Sequence, residues 1–428
     1  MTTHRYRRWG RVIGVSTVAA LGLSACGGGA GGESGGDGSG SFSFTYAASN
    51  TLDSPWEALA EAYMEENPDV SITLNSQPND SYGESLRTQL QGGNAADVMQ
   101  TVPGTGQTRG VVALAEAGFL APLDDAVGDF LPEGSHDQYV YEGQYYGAAP
   151  GLALNGLVTN QTVAEELGLE TFPETFEDLV ATCEDVASDG DNLLVLAGGT
   201  PQNSGVTALM AASTAVYAVD PEWNEKRAAG EVTFADSEEW HQALDDVMAM
   251  IDAECFQPGA EGAGFDVLTD SLVRGQAMAM FGPGGAAPEL EQAHDGLEFV
   301  LNAFPPHEGQ RPSLQVSANY LVSLNADAAE NEAAKDFIDW LRDDDALEIY
   351  ADVSDALPAD LDDYDFAGSS YAPVEDLLLE GDYYAPFAND EWPNPAIYEA
   401  LGSGVQGLLT GQKTPEQVLT DMDDAWGE

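Results

Sequence analysis

Apolar positions along this chain change period again and again, from two to about 3.6 and back, the signature of strands alternating with helices. Phe42 to Ala47 reads as a strand. Ser54-Pro55-Trp56-Glu57 then supplies a helix N-cap, a proline at the first helical position and an acid at the third. Trp56, Leu59, Ala60, Tyr63 and Met64 fall on one face of that helix, Asn67-Pro68 ends it, and Val70, Ile72 and Leu74 alternate as the next strand. The cycle returns with a helix near Glu84 to Gln91, a strand at Asp97 to Thr101 and a helix at Val111 to Ala117 closed by Gly118. After Pro150 a second set begins: Thr175 caps a helix through Asp178, Leu193 to Ala197 reads as a buried strand, and a helix covers Ser237 to Ala253. Ala334, Phe337, Ile338 and Leu341 mark a late helix, and Thr414-Pro415-Glu416-Gln417 caps a terminal one with Val418, Met422 and Trp426 inward. This order predicts βαβ units on a parallel sheet, with no repeat of fixed period.

The chain has 428 residues, more than one core of ordinary size accommodates, so two domains or one bilobal body are expected. Hydrophobic residues make up 43%, which excludes wholesale disorder. Thirteen Lys and Arg stand against 74 Asp and Glu, a net charge of -61 that repels phosphate backbones and excludes nucleic acid as a partner. The acids are spread over the whole chain, which fits a solvated surface better than attraction for a cationic substrate.

The first residues break this pattern. Arg5, Arg7, Arg8 and Arg11 precede the apolar run Val12 to Leu23, which as a helix reaches about 18 Å and falls short of a bilayer. Residues 1–25 are therefore expected to be an export signal. It ends in Leu23-Ser24-Ala25-Cys26, which resembles the bacterial lipoprotein cleavage box and makes Cys26 the expected lipidation site. A twin-arginine route is suggested by Arg7-Arg8, though the residues that follow match poorly. Residues 26–41 are rich in Gly and Ser and read as a flexible tether. Cys183 and Cys255 are left in the body, where one disulfide is the expectation and two buried thiols the alternative.

Catalytic signatures are lacking. Histidines at 4, 136, 241, 294 and 307 have no metal-site spacing, Gly411-Gln412-Lys413-Thr414 only approaches a phosphate-binding loop, and the G-x-S-x-G at Gly32 to Gly36 sits in the tether with no strand before it. No metal or cofactor is expected, nor an enzyme.

Several segments together resemble the extracellular solute-binding proteins of ABC importers, in particular the carbohydrate-binding group that includes maltose-binding protein. They are Pro55-Trp56 with Asn67-Pro68-Asp69-Val70; Gly92 to Val98; Gly118 to Asp124; Glu142 to Pro150; Pro173 to Leu179; Gly275 to Gly282; Ala333 to Leu341; Ala356 to Ala359; and Gly411 to Trp426. The resemblance covers nearly all of 42–428 and implies a two-lobed α/β fold of the periplasmic-binding-protein kind (type II), hinged, with the ligand in the cleft between the lobes. By segment matching, one lobe takes 42–149 plus 304–342 and the other 150–303 plus 343–428, with crossings near Pro150, Phe304 and Arg342 to Asp345. The implied role is a lipid-anchored monomer on the outer face of the cell membrane, touching it only through Cys26, that passes a sugar to ABC permease subunits.

Binding groups in such a sheet follow the C-terminal ends of strands. That selects Asn50 beside Ser49, Gln77 and Asn79, Gln100 beside Thr101, Gln202 and Asn203, Gly282 and the two residues after it, and Asn319 beside Tyr320. Amides and hydroxyls suit neutral polyols, and Tyr82, Phe387 and Trp392 are the candidates to stack on a pyranose, Trp392 first because Asp390 to Pro395 reads as a loop. Gly282-Pro283-Gly284 departs from the Gly-Pro-Trp of many sugar binders and argues against a long maltodextrin. The alternatives are a polyamine or other cation held by Asp80 and Asp355 among aromatics, ferric iron on Tyr145-Tyr146 or Tyr383-Tyr384, and a secreted glycosidase.

Overall fold

The computed structural model describes residues 40–48, 54–131, 135–169, 171–318, 320–354, 356–357, 361, 364–384 and 387–427. The export signal, most of the tether, Cys26, Ser49, Asn50, Asn319 and Asp355 lie outside them.

Two five-stranded sheets form the two lobes. The first takes β1 (Gly40–Ala48), β2 (Val70–Pro78), β3 (Val98–Thr101) and β4 (Leu120–Ala121). A hairpin of β5 (Val140–Tyr141) and β6 (Gln144–Tyr145) leads to the second sheet: β7 (Ala153–Asn160), β8 (Asn192–Val195), β9 (Ala277–Pro283), β10 (Phe299–Asn302) and β11 (Gln315–Ser317). Strand β12 (Leu321–Asn325) then returns to the first, whose order is β2-β1-β3-β12-β4.

The sheets are mixed where the sequence predicts a parallel one. β1 runs parallel to β2 and β3, and β8 to β9, because helical crossovers join them. β12 and β7 enter from the opposite lobe instead, and both pair antiparallel with their neighbours. Strands β10 and β11 tile one edge of β7, also antiparallel.

Helix boundaries follow their caps. The side chains of Thr175 and Ser237 accept from the backbone N–H groups of Asp178 and Trp240, and Thr414 with Gln417 forms a full capping box. Helix Asn79–Gly92 starts earlier than its apolar face suggests and ends at Gly93, which takes φ 64°. Cys183 and Cys255 are bonded, with Sγ atoms 2.06 Å apart, joining helix Phe176–Asp189 to the segment after helix Glu238–Asp252.

The crossings between lobes lie side by side. Ala148 bridges Val322 and Leu152 bridges Leu357, so the first crossing runs beside the other two, the last of which lies between Ser354 and Leu357. Residues 304–317 stay with the second lobe, contrary to the expected boundary at 304. Phe304 and Ser313 exchange backbone hydrogen bonds of 2.9 Å, and β11 then lies on β7, so the middle crossing falls at 318–320. Residues 343–354 belong to the first lobe: helix Asp344–Ser354 packs on helix Pro55–Glu66, with the rings of Tyr350 and Trp56 5.4 Å apart. Motif matching misplaced both boundaries because neither turn signal shows which sheet edge the chain will meet.

Candidate ligand-binding cleft

The first-lobe wall is built at the C-terminal ends of β1 and β3. Gln100 is buried, and its Oε1 accepts from the Ala47 N–H at 2.8 Å. Tyr82, also fully buried, puts its hydroxyl 2.8 Å from the Gln100 carbonyl and 3.0 Å from that of Thr45. Gln77 donates to Thr45 Oγ1 at 3.0 Å. These three side chains lock the strand ends together, and Asn79 stands exposed at the start of its helix. Tyr82 serves as a platform for Arg109, whose guanidinium lies 5.4 Å from the ring centroid. Burial lowers the Arg109 pKa, and its Nη1 is buried without a hydrogen-bond partner.

The second-lobe wall is formed by the ends of β8 and β9. Asn203 is tied down, accepting from the Ala197 N–H at 2.8 Å and donating to the Phe281 carbonyl at 3.2 Å. Gly282 is a strand residue opposite Gly156. A Cβ on Gly284 would lie 2.5 Å from the Tyr371 ring, so that ring fills the space a larger residue would need. Gln202 is exposed, and its carbonyl accepts from the Tyr398 hydroxyl at 2.7 Å. The Tyr398 ring lies over Gly205, where a Cβ would come within 2.7 Å of it.

Trp392 is no loop aromatic waiting for a sugar. It is fully buried in the second-lobe core, 5.6 Å from Phe234 and 6.2 Å from Trp240 between ring centroids, with Nε1 donating to Asn224 Oδ1 at 3.2 Å. Phe387 is buried too. The aromatic cluster of Trp223, Phe234 and Trp240 captures Trp392 because burying an indole with its N–H satisfied outweighs leaving it in a loop. In the first tyrosine pair Tyr145 bonds His136 Nδ1 at 2.7 Å, and in the second the Tyr384 hydroxyl is buried without a partner while the cationic Arg311 guanidinium lies 4.5 Å from the ring centroid, a poor setting for a ferric ion.

Two segments far apart in sequence meet between the lobes: the loop Val102 to Gly110 after β3, and residues 389–392. The Thr105 N–H donates to the Asp390 carbonyl at 2.8 Å and its hydroxyl to the Trp392 carbonyl at 2.5 Å. The contact needs glycine on the loop side. A Cβ would come 2.0 Å from the Asp390 carbonyl at Gly104 and 1.7 Å from the Asn389 carbonyl at Gly106. Asn224 holds the other side, donating to the Ala388 carbonyl at 2.8 Å and to Glu391 Oε2 at 2.7 Å. Gln107 and Gln138 approach Asp390 and Glu391 at 3.5 Å, while Gln138 Oε1 and Asp390 Oδ2 are buried without partners. Burial pushes the Asp390 pKa well above the usual carboxylate range. Sequence reasoning missed Thr105, Gln107, Arg109, Gln138, Asp390 and Tyr398. The signals were present in Gly104-Thr105-Gly106 directly after a strand and in the Asp-Glu pair before Trp392.

A groove of about 450 Å³ spans the lobes near this contact, lined by Arg87 and Thr108 on one side and Asn394 and Glu399 on the other. A larger cavity, about 1010 Å³, lies on the flank of the second lobe along β10. Among the described residues no group of three metal-ligating side chains occurs. No helix among them is long and apolar enough to cross a membrane.

A family model for bacterial extracellular solute-binding protein matches residues 47–348. No curated protein sequence matches the chain. Among solved structures, the GacH receptor of Streptomyces glaucescens, determined unliganded and with acarbose, is 19% identical, covers 91% of this chain and 97% of its own, and has a TM-score of 0.71. SBP RafE in complex with raffinose has 17% identity, coverage of 90% and 98%, and a TM-score of 0.73. A sugar transporter protein of Bacillus licheniformis with stachyose has 17% identity, coverage of 89% and 98%, and a TM-score of 0.70. At these identities the likeness concerns the fold.

Proposed function

The chain belongs to the bacterial extracellular solute-binding proteins, and from that premise we propose that it captures a neutral mono- or oligosaccharide between its lobes and passes it unaltered to ABC permease subunits. The observation that carries this reading is the set of three adjacent interlobe crossings beside a groove between the lobes whose lining includes Thr88, Gln91, Thr108 and Asn394. Crossings of this kind let two rigid lobes rotate, and ligand shifts the population toward the closed arrangement. Amide and hydroxyl side chains can both donate and accept hydrogen bonds, which suits a polyol better than an ion. The sugars held by structural neighbours, acarbose, raffinose and stachyose, support the same class.

The export signal, lipidation at Cys26, attachment to the outer face of the membrane and a monomeric state complete the proposal. So does the absence of turnover, since binding by opposed lobes requires no reacting group.

A thermal-shift panel tests it. Raffinose, stachyose, acarbose, monosaccharides, spermidine and ferric ion are compared, a ligand at one hundred times its Kd stabilising by about 2.7 kcal/mol. One or more neutral sugars should raise the midpoint and be recovered unchanged. A response confined to spermidine or ferric ion overturns the sugar reading, and hydrolysed sugar overturns the receptor reading.

A further inference from the structure

The seam between the Val102 to Gly110 loop and residues 389–392 joins the lobes by backbone contact, with a carboxyl group sealed inside it. Asp390 is only 1% exposed. Its Oδ1 has contacts of 3.5 Å from Gln107 Nε2 and Asn389 Nδ2, and Oδ2 has no partner. The titratable and charged groups facing it from each side are Tyr139, Tyr398 and Glu391, none of them a cation at neutral pH. Arg109, two residues beyond Gln107, lies on the Tyr82 ring. Among the described residues no Lys, Arg or His forms an ion pair with Asp390, although seven other cations of the body each have a carboxylate within salt-bridge distance.

A carboxyl sealed without a cation is stable there in its neutral form, because the charged form would forfeit its hydration with nothing in return. Separating the loop from residues 389–392 would readmit water to it. We propose that this seam is a proton-coupled latch: it closes with uptake of one proton from solvent by the Asp390 carboxyl, and the carboxylate ionises as the lobes part there. Asp390 is thus a positioning residue for closure, too deeply enclosed to be a ligand contact in this arrangement. The sign follows from linkage. The closed seam binds a proton that the open seam releases, so the closed fraction rises as pH falls. Burial raising the carboxyl pKa in the closed arrangement agrees with this direction. The inference rests on the two-lobed fold and does not depend on which solute is bound.

The test uses the full chain without any ligand. Hydrogen exchange of the Thr105 amide, which donates across the seam to the Asp390 carbonyl, is followed from pH 5 to pH 8 and corrected for the intrinsic rate. Protection should fall as pH rises, by up to about tenfold per pH unit within the titration window. In Asp390→Asn the protection should become independent of pH. Gly106→Ala provides a second variant: its Cβ would drive the backbones apart, so Thr105 protection should be low at every pH and the pH slope should vanish. Wild-type protection that does not change with pH, or an Asp390→Asn slope equal to wild type, overturns the latch. So does Gly106→Ala with wild-type protection, and none of these outcomes bears on whether a sugar binds.

Discussion

The second-lobe core around Trp240 and the interlobe seam around Asp390 are equally dry, yet burial has opposite consequences in them. Trp240 is packed edge-on against Phe234 and Trp223 at centroid distances of 5.1 and 5.8 Å, so removing water from its large ring is favourable even though its Nε1 is buried without a partner. The seam encloses backbone carbonyls, two amides and an unpaired carboxyl, whose desolvation offsets much of what close contact contributes. Low exposure therefore marks two kinds of place here: one where burial holds a lobe together and one where burial carries a cost.

The largest expected effect falls on the core. Trp240→Ala should destabilise by about 3–5 kcal/mol, measured by denaturant unfolding. A change below 1 kcal/mol would show that the aromatic cluster is not what stabilises this lobe. Next comes the disulfide, 72 residues apart in sequence: Cys183→Ala with Cys255→Ala should cost about 2–4 kcal/mol, with hydrogen exchange at the seam unaffected. Loosening of the seam in that variant would erase the distinction between the two regions.

Asp390→Asn should go the other way, stabilising by about 1–2 kcal/mol at pH 8 and by less at pH 5, because the amide carries no charge to desolvate. Calorimetric midpoints at the two pH values measure this, and a loss of stability at pH 8 would contradict the buried-carboxyl account. The smallest effect sharpens the comparison with a buried acid that does have a cationic neighbour. His307 is bracketed by Glu177 at 2.7 Å and Asp246 at 2.9 Å. Burial alone would lower the His307 pKa, but the two carboxylates outweigh it and raise it, while burial pushes Asp246 up to about 6. Both raised values mean proton uptake on folding, so this bracket stabilises most below the unfolded histidine pKa and weakens as pH rises through the raised folded value. His307→Gln should therefore lose about 1 kcal/mol at pH 5.5 and little at pH 9. An equal loss at both would assign His307 a packing role, as its ring lies 4.8 Å from that of Phe176.

Much of the fold was legible in the amino-acid sequence. The helix at Pro55 and Trp56 starts where the cap pattern placed it although the Ser54 hydroxyl makes no capping bond, whereas the caps at Thr175, Ser237 and Thr414 form as read, because a cap is settled within four residues. The cleft was less legible. Gln77, Gln100 and Asn203 lie near the strand ends where they were sought, but each has its amide engaged by a neighbouring strand or turn, and sequence offers no way to tell a free amide from an occupied one. Trp392 shows the same limit from the apolar side, since a loop setting in sequence proved compatible with the centre of a core.

By itself the sequence determined the alternation of elements, their caps, the acidic body and the family, all properties of short segments or of composition. The tertiary structure alone decided the antiparallel strands arriving from the opposite lobe, the true crossings at 318–320 and after Ser354, and the meeting of Thr105 with Asp390, 285 residues further on. The physical reason is range. Capping and periodicity act within a turn or two of chain, whereas the partner of a buried polar group is chosen by whichever backbone the packing of two whole lobes brings within 3 Å.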